Sequence, residues 1–161
     1  METIYFDTLQ FLYHFALAIL VGGALVLGAA AAPAIFATVK SRGEAGGIFG
    51  AILGRYDGLA ILSVVLIVAT SLLKALNFEV TGVPETRLII RWLALLVLCG
   101  ATLYSSAWTN PVARGIRAQT PGWDDLRDDA PMRREFQSLH RSSRRAMTVA
   151  IFAGIIAMFL S

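Results

Sequence analysis

Apolar residues along this chain gather into four long runs. The first, Leu9 to about Val39, is broken only by Gln10, His14 and Pro33, and is followed by runs over Gly58 to Leu76, Leu88 to about Trp108 and Ala146 to Leu160. A helix needs about 20 apolar residues to cross the hydrocarbon layer of a bilayer. The first three runs reach about that length. The fourth reaches it only if its helix already begins near His140 and extends its arginines to the interface. The pattern predicts an all-α integral membrane protein, a four-transmembrane-helix bundle with spans at about 9–39, 58–76, 88–108 and 140–160. Pro33, behind Ala29 to Ala32, is expected to kink the far end of the first span.

Gly46, Gly50, Gly54 and Gly58 recur at every fourth position between the first two runs. Positions four apart stack on one helix face, so segment 43–57 carries a ridge without side chains. Glycine costs a helix about 1 kcal/mol per residue relative to alanine. The ridge is therefore expected to admit another backbone closely, as small residues do between membrane helices. Segment 43–57 is either a helix lying at the interface or the start of a long second span. The connection over 110–140 turns at Pro121-Gly122. Asp128 or Asp129, ahead of Pro131, is expected to cap a helix that runs from about Ala130 to Leu160, its first third amphipathic. No repeat or low-complexity linker divides the chain, which reads as one domain.

Charge gives these spans a direction. Of 14 Lys and Arg residues, eleven lie on the first and third connections and the ridge, and only Lys74, Arg87 and Arg91 lie near the second connection. Cytoplasmic loops of membrane proteins carry the excess of Lys and Arg. Loops one and three are thus expected in the cytoplasm, with both termini outside, and a bacterial inner membrane is the expected location. The first apolar run has no Lys or Arg ahead of it, so it is expected to be a retained helix rather than a cleaved signal. With 57% hydrophobic and only 16% charged residues, the net charge of +3 points to anionic lipid headgroups as partners and not to nucleic acid. The single cysteine, Cys99, excludes an internal disulfide and sits in an apolar run as a buried thiol would.

Several polar residues in or beside the runs are candidates for chemistry. His14 shares a helix face with Asp7 and Gln10. A titratable group at membrane depth is a functional candidate, and histidine can bind metal, ligate haem or relay protons. It can equally be a hydrogen-bonded residue near the outer interface. His140 is expected near the opposite face, about 30 Å away, which disfavours a joint site within one subunit. Arg55 and Asp57 sit where the ridge meets the second span. Asp57 needs a partner if buried, and Arg55, Arg114 or an arginine of the last helix can supply it. Thr102, Ser105, Ser106 and Thr109 are helically spaced and, with Asn110, suit either interhelical hydrogen bonds or a polar cavity wall. Ser143 lies beside His140 at the entry of the last span. The Asp124 to Asp129 cluster lacks the spacing of a calcium loop. No phosphate loop, paired-cysteine motif, nucleophile elbow or HExxH is present, so neither a hydrolase nor a nucleotide-driven pump, nor an enzyme of another kind, is expected.

Taken in order, several motifs resemble those of the transmembrane protein 205-like family. They are the His14 helix ending in Ala34-Ile35-Phe36, Ala45-Gly46-x-x-x-Gly50-x-x-x-Gly54-Arg55-Tyr56, Trp108-Thr109-Asn110-Pro111 and Phe136-x-x-x-His140-x-x-Ser143. The resemblance implies a four-span membrane protein and carries over His14, Trp108, Pro111, His140 and Ser143. Its animal members are linked to tolerance of platinum drugs, which implies handling of metal complexes. This chain departs from the family in having Met147 where an Asn often follows the final His.

Three functions are compatible with these residues. The first is transport or tolerance of metal complexes or small molecules, through a homo-oligomer because four helices make a thin wall. The second is a structural or assembly subunit that packs against partner membrane helices. The third is a haem or copper redox protein that uses His14; no cofactor is specified by the sequence.

Overall fold

The structure, a computed structural model, describes residues 2–80 and 82–161. Every regular element among them is helical. Four helices are each long and apolar enough to cross a membrane: α1 (Thr3–Thr38), α2 (Arg42–Glu79), α3 (Thr86–Gln119) and α4 (Pro131–Phe159). Large apolar side chains such as Leu62, Leu72, Leu96, Phe152 and Phe159 point outward. A soluble domain would hide such a belt, whereas a bilayer receives it. This is the make-up of a multi-pass membrane protein.

The helices alternate in direction, so both ends of the chain come to one end of the bundle, the terminal end. The hydrogen bond from Tyr13 to the Ala157 carbonyl and the contact between His14 and Ser161 tie α1 to α4 there. The opposite end holds the α1–α2 and α3–α4 connections and eleven of the 14 basic residues; we call it the basic end. Between the two ends lies an apolar core in which Leu17, Leu20, Val64, Ile67, Leu95 and Leu98 meet alanines 150, 153 and 157.

Local sequence explains how the helices begin and where they widen. Ser41 is the α2 N-cap, its hydroxyl accepting a hydrogen bond from the Glu44 amide at 3.3 Å. Proline shapes α1 and α3. A proline lacks its N–H and crowds the carbonyl four residues back. The backbone widens into π-helical turns at Leu27–Ala31, just before Pro33, and at Tyr104–Thr109, just before Pro111. Pro131 occupies the first turn of α4, but the residue ahead of it is Ala130, which makes no side-chain cap. Neither aspartate expected to cap α4 does so: Asp128 and Asp129 face Arg133 and Arg127, at 3.8 and 3.1 Å.

Segment 43–57 is continuous with the second span, since α2 runs unbroken through it. Its glycines meet side chains rather than a backbone. A Cβ placed on Gly46 would lie 2.7 Å from an Arg117 nitrogen, one on Gly54 would touch the Arg114 guanidinium at 3.6 Å, and one on Gly50 would meet nothing within 4 Å. The small-residue face packed against other helices is on α4 instead, where the nearest atoms are again side chains. There Ala150, Ala153, Gly154 and Ala157 are buried, and a Cβ on Gly154 would collide with Val21 of α1. The ridge accommodates arginines; the small face of α4 accommodates helices.

Candidate functional site

The polar residues of the basic end form one connected chain. Asp57, on α2, is 3% exposed. Its carboxylate accepts hydrogen bonds from Asn110 Nδ2 at 2.8 Å and from an Arg114 nitrogen at 2.5 Å, both on α3. The Asn110 carbonyl oxygen in turn accepts from the Ser143 hydroxyl of α4 at 2.6 Å. Ser143 has one proton and has given it to Asn110, so the 2.7 Å contact between Ser105 and Ser143 must be donated by Ser105. All donors therefore point toward Asp57, in the order Ser105, Ser143, Asn110, with Arg114 closing the far side. A buried carboxylate is tolerated only with such compensation. The π turn and Pro111 put Ser105 and Asn110 on the face of α3 that meets α2 and α4. Thr109 is buried beside them and bonds back to the Ser105 carbonyl at 3.1 Å. Thr102 and Ser106, one turn deeper, have buried hydroxyls without a partner among the described residues.

Asn110 and Arg114 join this network to a cavity of about 690 Å³ at the basic end, whereas Asp57, Ser105 and Ser143 lie outside its lining. Gly46 and Gly50 of α2, Arg114 and Arg117 of α3, and Phe136 and His140 of α4 line it. The His140 ring stacks on Phe136, with centroids 6.1 Å apart and planes 4° apart. Arg117 is held by the Gly43 carbonyl at 2.6 Å, and Arg133 by the Trp123 carbonyl at 2.9 Å. A second cavity of about 390 Å³ lies between α1 and α4, where Leu27 and Gly28 face Ser143 and Met147. Phe36, Phe49, Leu53, Asn110 and His140 border both.

Of the residues singled out from the sequence, Asp57, Ser105, Asn110 and Ser143 share this one network, Thr109 adjoins it and His140 lines the cavity above it. Arg55 does not join them. It is exposed, and two residues along a helix from Asp57 it faces away; Arg114 takes the partner's place. His14 lies at the terminal end. Its ring nitrogens meet the Gln10 carbonyl at 3.0 Å and the Ser161 hydroxyl at 2.8 Å. Among the described residues no group of three or more His, Cys, Asp or Glu side chains is arranged to hold a metal ion.

A second buried network, beside His14, was not anticipated. Lys74, 1% exposed, pairs with Glu79 at 3.2 Å and bonds the Gln10 side chain. Glu79 also pairs with Arg91, and both cations lie over the Tyr13 ring, 5.0 and 6.0 Å from its centre. The signal was Lys74 itself, a charge at the end of an apolar run. Its partner Glu79 lies beyond the end of the second apolar run. Asp57 and Lys74 are seventeen residues apart on α2, about 26 Å along a helix. The two networks thus bracket an apolar core close to the bilayer's hydrocarbon thickness of about 30 Å.

Helices, apolar belt and lined cavity together define a small helical-bundle membrane protein with a polar pocket at one end. The chain belongs to the DUF4149 family, described as a domain of unknown function, which it matches over residues 15–121. That segment contains Asp57, Ser105, Thr109, Asn110 and Arg114, and stops before His140 and Ser143. No curated protein and no solved structure matches the chain.

Proposed function

We propose that the protein takes a small molecule into the cavity at its basic end and carries it across or away from the membrane, as a transport or tolerance protein. The observation that carries this reading is the cavity wall. Asn110 and Arg114, which hold the buried Asp57 carboxylate, line an arginine-rich space of about 690 Å³, and Ser105 and Ser143 line the adjoining cleft with Asn110. Ligand pockets commonly occupy about 300–1,000 Å³ and present a few converging polar groups. The arginines favour anions, including anionic metal complexes, over cations. The resemblance to the transmembrane protein 205-like family supports a tolerance role. The excess of arginine supports a cytoplasmic basic end, termini outside and a bacterial inner membrane. The reading assigns no reaction to the protein.

Thermal unfolding of the full chain in a neutral detergent tests the proposal, because a ligand that binds only the folded state raises Tm. A panel of organic anions, amphiphiles and platinum and copper complexes is expected to contain a class that stabilises the wild type but not Gly50→Leu, whose side chain fills the cavity. A folded protein whose Tm is unmoved by every class contradicts the reading.

A role as an assembly subunit is the second reading. It is favoured by the exposed small residues Gly28, Ala29, Ala30 and Ala34 of α1, a face another membrane helix can approach. Recovery of the protein alone after mild solubilisation and affinity capture would count against it; the first reading predicts that outcome or a homo-oligomer.

A further inference from the structure

The two cavities of the basic end differ in chemistry, and they share a border. The larger is bounded by Arg42, Arg114, Arg117, Arg127 and Arg133. Asp124 and Asp128 lie on its rim, so arginines exceed carboxylates there. Arg114 is committed to Asp57, and Arg117 stands 3.8 Å from Asp124. Arg42 is exposed and has no hydrogen-bond or ion-pair partner among the described residues. The smaller cavity is a cleft between α1 and α4 whose walls are mostly apolar, with Ala24, Leu27, Gly28, Pro33 and Met147, and also include Ser105, Ser143 and Arg144. Phe36 and Phe49 stand at the junction, their ring centres 6.2 Å apart.

Resting on the small-molecule reading above, we propose that basin and cleft are one site for an anionic amphiphile. Its phosphate or carboxylate head lies among the basin arginines and its hydrocarbon tail lies in the α1–α4 cleft. Guanidinium forks match both kinds of head. A free polar anion would leave the cleft unused, and an uncharged hydrophobe would leave Arg42 unpaired. The π turn at Leu27–Ala31 lies on the α1 wall of the cleft, and two glycines leave the site open. A Cβ on Gly28 or on Gly50 meets nothing within 4 Å, although Gly28 lines the cleft and Gly50 the basin. Side chains added there occupy ligand space without displacing protein.

Native mass spectrometry of the delipidated full chain in neutral detergent tests this, with phosphatidylglycerol, phosphatidylcholine, glycerol 1-phosphate and inorganic phosphate as probes. One phosphatidylglycerol per chain is expected to be retained about tenfold more strongly than phosphatidylcholine, the effect of one charged hydrogen bond. Arg42→Gln, Gly50→Leu and Gly28→Leu are each expected to reduce that retention about tenfold, while Arg145→Gln, outside the site, leaves it unchanged. Monodispersity and the wild-type Tm establish that each variant is folded. Equal retention of the two lipids, or indifference to both glycine variants, overturns the proposal. If glycerol 1-phosphate or phosphate binds as well as the lipid and Gly28→Leu has no effect, the site takes a free anion. That result overturns the amphiphile and leaves the small-molecule reading intact. If none of the four probes binds, the amphiphile falls and the Tm panel decides the broader reading separately.

Discussion

Asp57 is compensated by one cation and one amide, and the amide in turn accepts from Ser143. Removing the amide is therefore more damaging than removing the outermost hydroxyl. Asn110→Leu strips a donor from a buried carboxylate and an acceptor from Ser143, and is expected to cost about 2–3 kcal/mol. Ser105→Ala removes only the end of the chain and should cost about 1 kcal/mol. Thermal unfolding of both variants checks the order; equal costs would mean that the chain is not directed toward Asp57. At the terminal end, Glu79 is the shared counter-charge of Lys74 and Arg91. Glu79→Gln leaves two buried cations unpaired and should cost about 3 kcal/mol or more, whereas Lys74→Met leaves Glu79 paired with Arg91 and should cost less. That Asp57 required a partner was legible from a charge beside an apolar run. Which partner it has was not. Arg55, Arg114 and the α4 arginines were all admissible until the rotation of α3 against α2 selected Arg114. The pairing of Lys74 was not legible because its carboxylate, Glu79, lies beyond the end of the second apolar run.

Four helices were legible in the four apolar runs, since length and apolarity alone determine what can cross a bilayer. Helix faces were harder to assign. Two small-residue stripes compete in this sequence, and spacing alone cannot tell a face that receives a helix from one that receives arginine side chains. The ridge at Gly46 and Gly54 faces guanidinium groups, and the face around Gly154 touches α1. Substitution separates the two. Gly154→Leu forces a large side chain against Val21 and should destabilise by about 1–3 kcal/mol. Gly50→Leu meets nothing and should leave the fold intact, gaining some helix propensity. If Gly50→Leu unfolds the protein and Gly154→Leu does not, the assignment of the two faces is reversed. The caps show the same limit. Ser41 caps α2 with no expectation drawn from its sequence, whereas Asp128 and Asp129 bind nearby arginines in place of the α4 amides.

Across the whole molecule, polarity is divided by end. Ion pairs close the terminal end, and a lined cavity opens the basic end, about one hydrocarbon thickness away. Because both termini share an end, reporters fused to either should lie on the same side of the membrane, and the charge distribution predicts the outer side. Cytoplasmic activity of a C-terminal fusion would reverse the orientation without altering the site. The cavity was the least legible feature, because its lining comes from all four helices and from loops with no motif in common. The central claim is that this cavity is where a ligand passes. Its most direct test is transfer in proteoliposomes, comparing wild type with Gly50→Leu at equal reconstituted amounts and using the ligand class that raises the wild-type Tm. Transfer above that of empty liposomes is expected for the wild type, with its loss in the glycine variant. Equal transfer by the two proteins, or none by a folded wild type, would contradict it.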